Sequence, residues 1–290
     1  MASPFDLHDE ASYQAWRKQK LAQAPASARD LIVEIDDPRQ LTAAEHAALL
    51  DRIRRCNMVI YASRRVEADK DIARKIGQQF GLDHLNANWL AGEDGISQIE
   101  VKSGEPAKGF IPYTNKPIKW HTDGYYNPPA EQIRGMVLHC VRSAGEGGVN
   151  RLMDHEMLYL LLRDLNPEHI RALSAPDAMT IPARTDEEGV ARAEQTGPVF
   201  SVDPAGHLHM RYTARTRSIE WKKDAATQAA VAALEQVLAS DSPYIYSAQL
   251  QPGMGLLCNN VLHDRSGFVD DAASPRLLYR ARYFDRIAAT

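Results

Sequence analysis

The chain has 290 residues, 44% of them hydrophobic and 25% charged, with a formal net charge of −4. That composition fits a globular protein with a sizeable core, and the acidic balance supplies no basic field for gripping a phosphate backbone, so nucleic acid is not an expected partner. No run of about 18 or more apolar residues exists to span a membrane, and the first residues, Met1 to Asp6, lack the basic and apolar parts of a signal peptide. A cytoplasmic protein acting on a small molecule is the expectation.

Asp9 to Gln23 is polar and helix-prone, and reads as an N-terminal helix within an extension over 1–30 that docks through Tyr13, Trp16 and Leu21. Thr42 and Glu45 form a capping box ahead of the apolar series Leu49, Leu50 and Ile53, which predicts an amphipathic helix. Cys56, Cys140 and Cys258 are far apart and contain no Cys-x-x-Cys pair, so small buried residues are expected and not a disulfide framework or zinc site. Met58 to Tyr61 reads as a buried strand, and a second helix is predicted over Asp69 to Phe80, closed by Gly81.

Beyond Gly81 the texture changes. Short apolar or alternating stretches lie between Gly, Pro and Asn: Ile96 to Val101, Gln132 to Val141, Val149 to Met153, His207 to Tyr212, Tyr244 to Leu250, Gly255 to Cys258 and Leu277 to Phe284. Many short strands with turn signals between them predict a sandwich or jelly roll. Helices over Asp154 to Leu165 and Asp224 to Ala239 interrupt the strands. The polar stretches Ser103 to Pro117 and Arg184 to Gly197 read as mobile loops able to form a lid. No linker divides the chain, so one domain over 1–290 is expected.

Trp120-His121-Thr122-Asp123 holds the only His-x-Asp of the chain. On an extended segment positions i and i+2 face the same side, so imidazole and carboxylate can meet one metal ion. Alone the triplet is compatible with chance. Far downstream, Pro252-Gly253, an apolar strand and the pair Asn259-Asn260 lead to His263, read as ending a strand. Two histidines and one carboxylate leave three sites open on an octahedral iron(II), as oxygen chemistry requires, although zinc or manganese can occupy the same triad. Beyond it, Arg276, Arg280 and Arg282 share one strand face. Such a face is either a solvated edge or a fork that holds an anion bidentately.

These pieces together resemble the taurine dioxygenase family of 2-oxoglutarate-dependent oxygenases, from about Leu49 to Tyr283. Trp120 to Asp123, Pro128-Pro129, Gly147-Gly148, the Pro252 to His263 stretch and Arg276-x-x-x-Arg280 carry the resemblance. It implies a mainly β, α+β chain: a double-stranded β-helix (jelly roll, cupin-like) with helices packed outside. His121, Asp123 and His263 would hold Fe(II). Arg276 would bind the distal carboxylate of 2-oxoglutarate, and Arg280 the anionic group of the substrate. Asn150 stands where the family usually has a threonine at 2-oxoglutarate, and can still donate a hydrogen bond to a carboxylate.

The reaction implied is hydroxylation of a small anionic or zwitterionic metabolite using O2, with release of succinate and CO2. Desaturation or ring closure by the same cofactors, and a non-catalytic jelly-roll metal-binding protein, are the alternatives. Relatives suggest a homo-oligomer, dimer or tetramer. Of the remaining candidates, Tyr125 and Tyr126 follow the motif as core aromatics or substrate-facing walls, and Asn88, Trp89, Tyr113 and Asn115 precede it on the substrate side. His207-x-His209 reads as pocket-lining or structural. Asp154-His155-Glu156 reads as a helix start, where acidic residues suit the positive end of the dipole.

Overall fold

The structure, a computed structural model, describes residues 3–86, 94–102, 111–186, 189–271 and 273–290. Asn88, Trp89 and residues 103–110 of the expected lid loop lie outside the described residues.

The first helix, α1 (Glu10–Gln23), starts where Asp9 accepts a hydrogen bond from the Ser12 backbone N–H. Tyr13 is buried and its hydroxyl donates to Asp164. Lys20, one turn from the helix end, is only 5% exposed, with its Nζ 2.6 Å from Asp154 and 2.5 Å from Glu156. Burial opposes its charge, but the two carboxylates outweigh burial and raise its pKa. The acidic start of the Asp154 helix therefore does more than suit a dipole; it anchors α1 through an ion triplet that no local pattern reveals.

Helix α2 (Ala43–Cys56) opens on the expected Thr42–Glu45 capping box and ends at Asn57 in the left-handed region. Helix α3 (Asp71–Gln78) follows the strand β2 (Met58–Ala62). Together α2 and α3 cover one face of a six-stranded sheet. Its other strands are β1 (Ile32–Glu34), β3 (Ser97–Ile99), β5 (Gly135–Arg142), β8 (Met254–Cys258) and β10 (Leu277–Tyr283), in the order β1-β2-β8-β5-β10-β3. A second sheet joins β4 (Ile118–His121), β6 (Asn150–Met153), β7 (Tyr246–Ala248) and β9 (Leu262–Arg265), in the order β7-β6-β9-β4. All pairings in the two sheets are antiparallel except β1 with β2.

Alternation along the strands builds the layers. Met58 and Ile60, with Met136, Leu138, Leu256 and Cys258, meet Leu152 and Tyr246 of the second sheet. Val59 and Tyr61, with Val137 and Leu257, meet Leu49, Ile53, Ile76 and Phe80 of α2 and α3. The large sheet is thus buried on both faces, which explains why β2 reads as continuously apolar. Two facing sheets with helices outside make the jelly roll. On the far side, α1, α4 (His155–Leu165), α5 (Pro167–Leu173) and α6 (Ala225–Ala239) share a third cluster with Tyr13, Phe200 and Tyr212.

Two expectations change. His263 does not end the Gly255–Cys258 strand. Asn260, at φ 50°, turns the chain out of β8, and His263 lies second in the separate strand β9, in the other sheet. The Arg184–Gly197 stretch is not loop throughout. Arg184–Asp186 and Gly189–Arg192 pair as an antiparallel hairpin, which the polar sequence, without apolar alternation, does not announce. Gly147, in the turn before β6, has φ 75°, and a Cβ there would sit 2.3 Å from the Gly267 carbonyl oxygen. Gly147→Ala is expected to lower stability by about 1–3 kcal/mol through backbone strain, checked by the urea midpoint.

His139 of β5 is wholly buried under the helices, its Nδ1 3.0 Å from the Tyr61 hydroxyl. Burial lowers its pKa to about 4. Between the ordinary histidine value and that point the unfolded chain holds the extra proton. The stability contribution is therefore complete above about pH 6.5 and lost as pH falls, by about 1 kcal/mol per unit. Metal-free protein taken from about pH 7 to about pH 5 should lose about 2 kcal/mol less as His139→Leu than as wild type in urea unfolding.

Candidate metal centre

Strand pairing brings the two histidines together. In the β9–β4 register His263 faces His121 directly, and their ring centroids are 4.2 Å apart. Asp123 follows two residues beyond His121. One ligand atom from each of His121, Asp123 and His263 lies within 4.8 Å of the others, the one such group of three among the described residues.

The histidines are oriented in the same way. His121 Nδ1 is 2.9 Å from the Lys119 carbonyl oxygen and His263 Nδ1 is 3.0 Å from that of Val261. A carbonyl only accepts, so each Nδ1 carries the proton and each Nε2 keeps its lone pair for a metal. Burial, then the neighbouring His263, lowers the His121 pKa to about 3, which keeps the ring neutral and able to ligate.

Asp123 is also buried. Burial alone would raise its pKa; Arg280 first and Arg282 second outweigh it and hold the carboxyl below the usual range. Its Oδ1 is 3.2 Å from Arg280 Nη1, while its Oδ2 is buried without a hydrogen-bond partner. An unpaired buried carboxylate oxygen is costly, and beside two Nε2 lone pairs it is the donor a divalent cation would satisfy. The residues fit the metal.

The sequence singled out Asn260 only as half of an Asn pair, yet it joins the two parts of the site. Its Oδ1 accepts from the Asp123 backbone N–H at 2.8 Å, and its Nδ2 donates to the Asp123 carbonyl at 2.9 Å and that of Ile133 at 2.7 Å. One amide thus grips both backbone polar groups of Asp123, three residues before His263.

Arg276 lies just before β10, 5% exposed, its guanidinium against the Phe268 ring at 5.0 Å. Arg265 stacks on the same ring at 4.8 Å. Burial first, then the charge of Arg276, lowers the Arg265 pKa to about 9. Arg265 donates to the Thr114 and Lys116 carbonyls, and among the described residues no carboxylate forms an ion pair with either guanidinium. Two buried cations sharing one ring call for an anion. Asn150 Nδ2 donates to the Asp264 carbonyl, and its Oδ1 is buried without a partner.

The remaining predicted residues disperse. Arg280 meets Asp123, as above. Tyr125 packs in the helical cluster, edge-on to Tyr126. Tyr126 instead accepts from Arg282 Nη1 at 3.1 Å. Asn115 has an exposed side chain, and its carbonyl accepts from the Phe268 N–H. Tyr113 is buried, its hydroxyl unpartnered. His207 pairs with Asp203, in keeping with a structural reading.

A jelly roll carrying this triad has the ligand set of the non-heme iron oxygenases. The chain belongs to the family described as "Taurine catabolism dioxygenase TauD, TfdA family", matched over residues 18–282. It is 32% identical over 169 residues to a uridine-5'-phosphate dioxygenase of an Amycolatopsis species, covering 57% of this chain and 60% of that protein. The chain thus aligns with about 60% of that relative's length. In fold it is similar to the non-heme iron oxygenase OrfP in complex with Fe and alpha-ketoglutaric acid (TM-score 0.62, 16% identity, 94% of this chain and 91% of that one). It is likewise similar to the PvcB protein from Pseudomonas aeruginosa (TM-score 0.58, 16% identity, 88% and 85% covered). No helix among the described residues is long and apolar enough to cross a membrane.

Proposed function

We propose that the chain, as one catalytic domain, hydroxylates a C–H bond of a small anionic metabolite, consuming 2-oxoglutarate and O2 and releasing succinate and CO2. The observation that carries this reading is the excess of buried guanidinium over carboxylate beside the triad: Arg280 and Arg282 face Asp123, whose single charge a metal also claims. His121, Asp123 and His263 hold Fe(II), which when bound supplies the O2 activation. Every further contribution comes from the chain. Arg276 binds the distal carboxylate of 2-oxoglutarate, with Asn150 beside the Gly147-Gly148 turn as a second contact. Arg280 fixes the orientation of Asp123 and borders the substrate, and Tyr125 with Tyr126 forms a wall that limits water. Asn115 stands at the rim on the co-substrate side. The name of the Amycolatopsis relative, a dioxygenase of a nucleotide, agrees with a small anionic substrate.

The test is succinate formation from 2-oxoglutarate by the iron-loaded chain across a panel of phosphorylated, sulfonated and carboxylated metabolites. One class should stimulate succinate release and gain one oxygen. A panel in which no compound raises succinate above the substrate-free rate, or in which products lose two hydrogens, would overturn the hydroxylase reading.

A further inference from the structure

Resting on that reading, the geometry points to a separate receptor for the substrate's anion: Arg282 and Arg192, gathered on Tyr126, bind the phosphate dianion of a phosphomonoester. Arg280, the arginine expected to meet the substrate's charge, already has a partner in Asp123 Oδ1 at 3.2 Å. Arg282 does not. It is 3% exposed, and among the described residues its two Nη groups hydrogen-bond only to neutral atoms, the Tyr126 hydroxyl at 3.1 Å and Asn86 Oδ1 at 2.7 Å, while Asp123 acts on it through charge alone. Its Nε is buried without a partner.

Arg192 comes from the end of the Arg184–Arg192 hairpin and lies over the same tyrosine, its guanidinium carbon 5.2 Å from the Tyr126 ring centroid. One Nη donates to the Pro182 carbonyl at 2.7 Å, and its Nε too is buried and unpartnered. A third donor is at hand in the buried, unpartnered Tyr113 hydroxyl, close enough to Arg282 to be felt by its charge.

Arg280 and Arg282 share the one charge of Asp123, and Arg192 is held by neutral partners among the described residues, so positive charge stays in excess in a poorly solvated place, a costly arrangement unless an anion joins it. A carboxylate or sulfonate brings one charge and leaves one guanidinium unbalanced. A phosphomonoester brings nearly two charges and three acceptor oxygens, matching both cations and both free Nε–H groups. Since Tyr126 is three residues from Asp123, the phosphate would be held near the iron. The reacting carbon would then be one of the first few from the phosphate oxygen.

The chain, loaded anaerobically with Fe(II) and saturating 2-oxoglutarate, would be titrated by calorimetry with methyl phosphate, methanesulfonate and acetate. Methyl phosphate should bind most tightly, and more tightly as pH rises from about 5.5 to about 7.5 and the probe becomes a dianion. Arg192→Ala and Arg282→Gln should each weaken it about tenfold or more, and in Arg192→Ala the iron–2-oxoglutarate charge-transfer band should persist. Equal binding of methanesulfonate, absent binding of methyl phosphate, or wild-type affinity in Arg192→Ala would overturn the proposal. If Arg282→Gln fails to fold, Arg192→Ala decides, because Arg192 is only partly buried. A wild-type chain that forms no charge-transfer band would instead sink the dioxygenase reading on which the receptor rests.

Discussion

Asp123→Ala should abolish 2-oxoglutarate-dependent succinate release and the retention of Fe(II). Loss of a partner one shell out from a metal costs about 10–100-fold in affinity or activity, and Asp123 supplies the donor atom itself, so the loss should exceed about 100-fold. The same change should also weaken the metal-free fold. Arg280 Nη1 would lose its carboxylate at 3.2 Å in a place where both side chains are largely buried, and breaking one half of a buried pair costs about 3–5 kcal/mol. Arg280→Met added to Asp123→Ala should recover much of that stability and none of the turnover. Iron content, succinate yield and urea unfolding of the metal-free proteins separate the two effects. A single variant that keeps wild-type turnover would remove Asp123 from the ligand set.

Asn260→Ala should be the most damaging change outside the ligands. It strands the Asp123 N–H and two carbonyls, and each orphaned buried group costs about 1–3 kcal/mol, together about 3–9 kcal/mol. Asn260→Asp keeps the acceptor but loses both donations, so it should fall between wild type and Ala. Asn260→Gly relieves the left-handed backbone at φ 50° but restores no hydrogen bond. A residue that only supports the turn would lower the unfolding midpoint and leave the iron affinity of the folded protein unchanged. If Asn260 positions Asp123, that affinity should drop about 10–100-fold and the charge-transfer band should shift. Unchanged affinity in all three variants would reduce Asn260 to a turn residue.

What the sequence disclosed, and what it hid, follows from range. His121 and Asp123 sit two apart on an extended segment, so a local period places them on one side. The Thr42 capping box, the helix of α6 and the apolar strands of the large sheet are equally local signals. His263 was legible as a partner only because its strand-turn-histidine context carries a family resemblance, and its assignment to the end of the preceding strand missed the crossing at Asn260. Contacts made wholly across the fold left no mark in any window. Lys20 with Asp154 and Glu156, Asn260 with Asp123, and Arg282 with Tyr126 are pairs between distant segments whose members look ordinary alone. The Arg184–Arg192 hairpin was hidden for the opposite reason: its order is local, but its polar sequence lacks the apolar alternation that marks a strand.

The pairing of His263 opposite His121 has a consequence for assembly. The two halves of the centre, Asp123 and Asn260, are 137 positions apart, so the ring of ligands cannot close until β4 and β9 have found their register, one of the slow, entropically costly events of folding. A slip of one residue would turn the imidazole of the slipped strand to the opposite face, away from its partner. A chain stalled before that closure offers a histidine and an aspartate, a poor chelate, and iron cannot template the step that builds its own cage. Once the cage is shut, mass action reverses the dependence: at a hundred times its dissociation constant, a bound ion holds the native state by about 2.7 kcal/mol. Iron retained by a purified sample therefore marks only molecules in which that register has closed, while folded molecules without iron lack that extra stability.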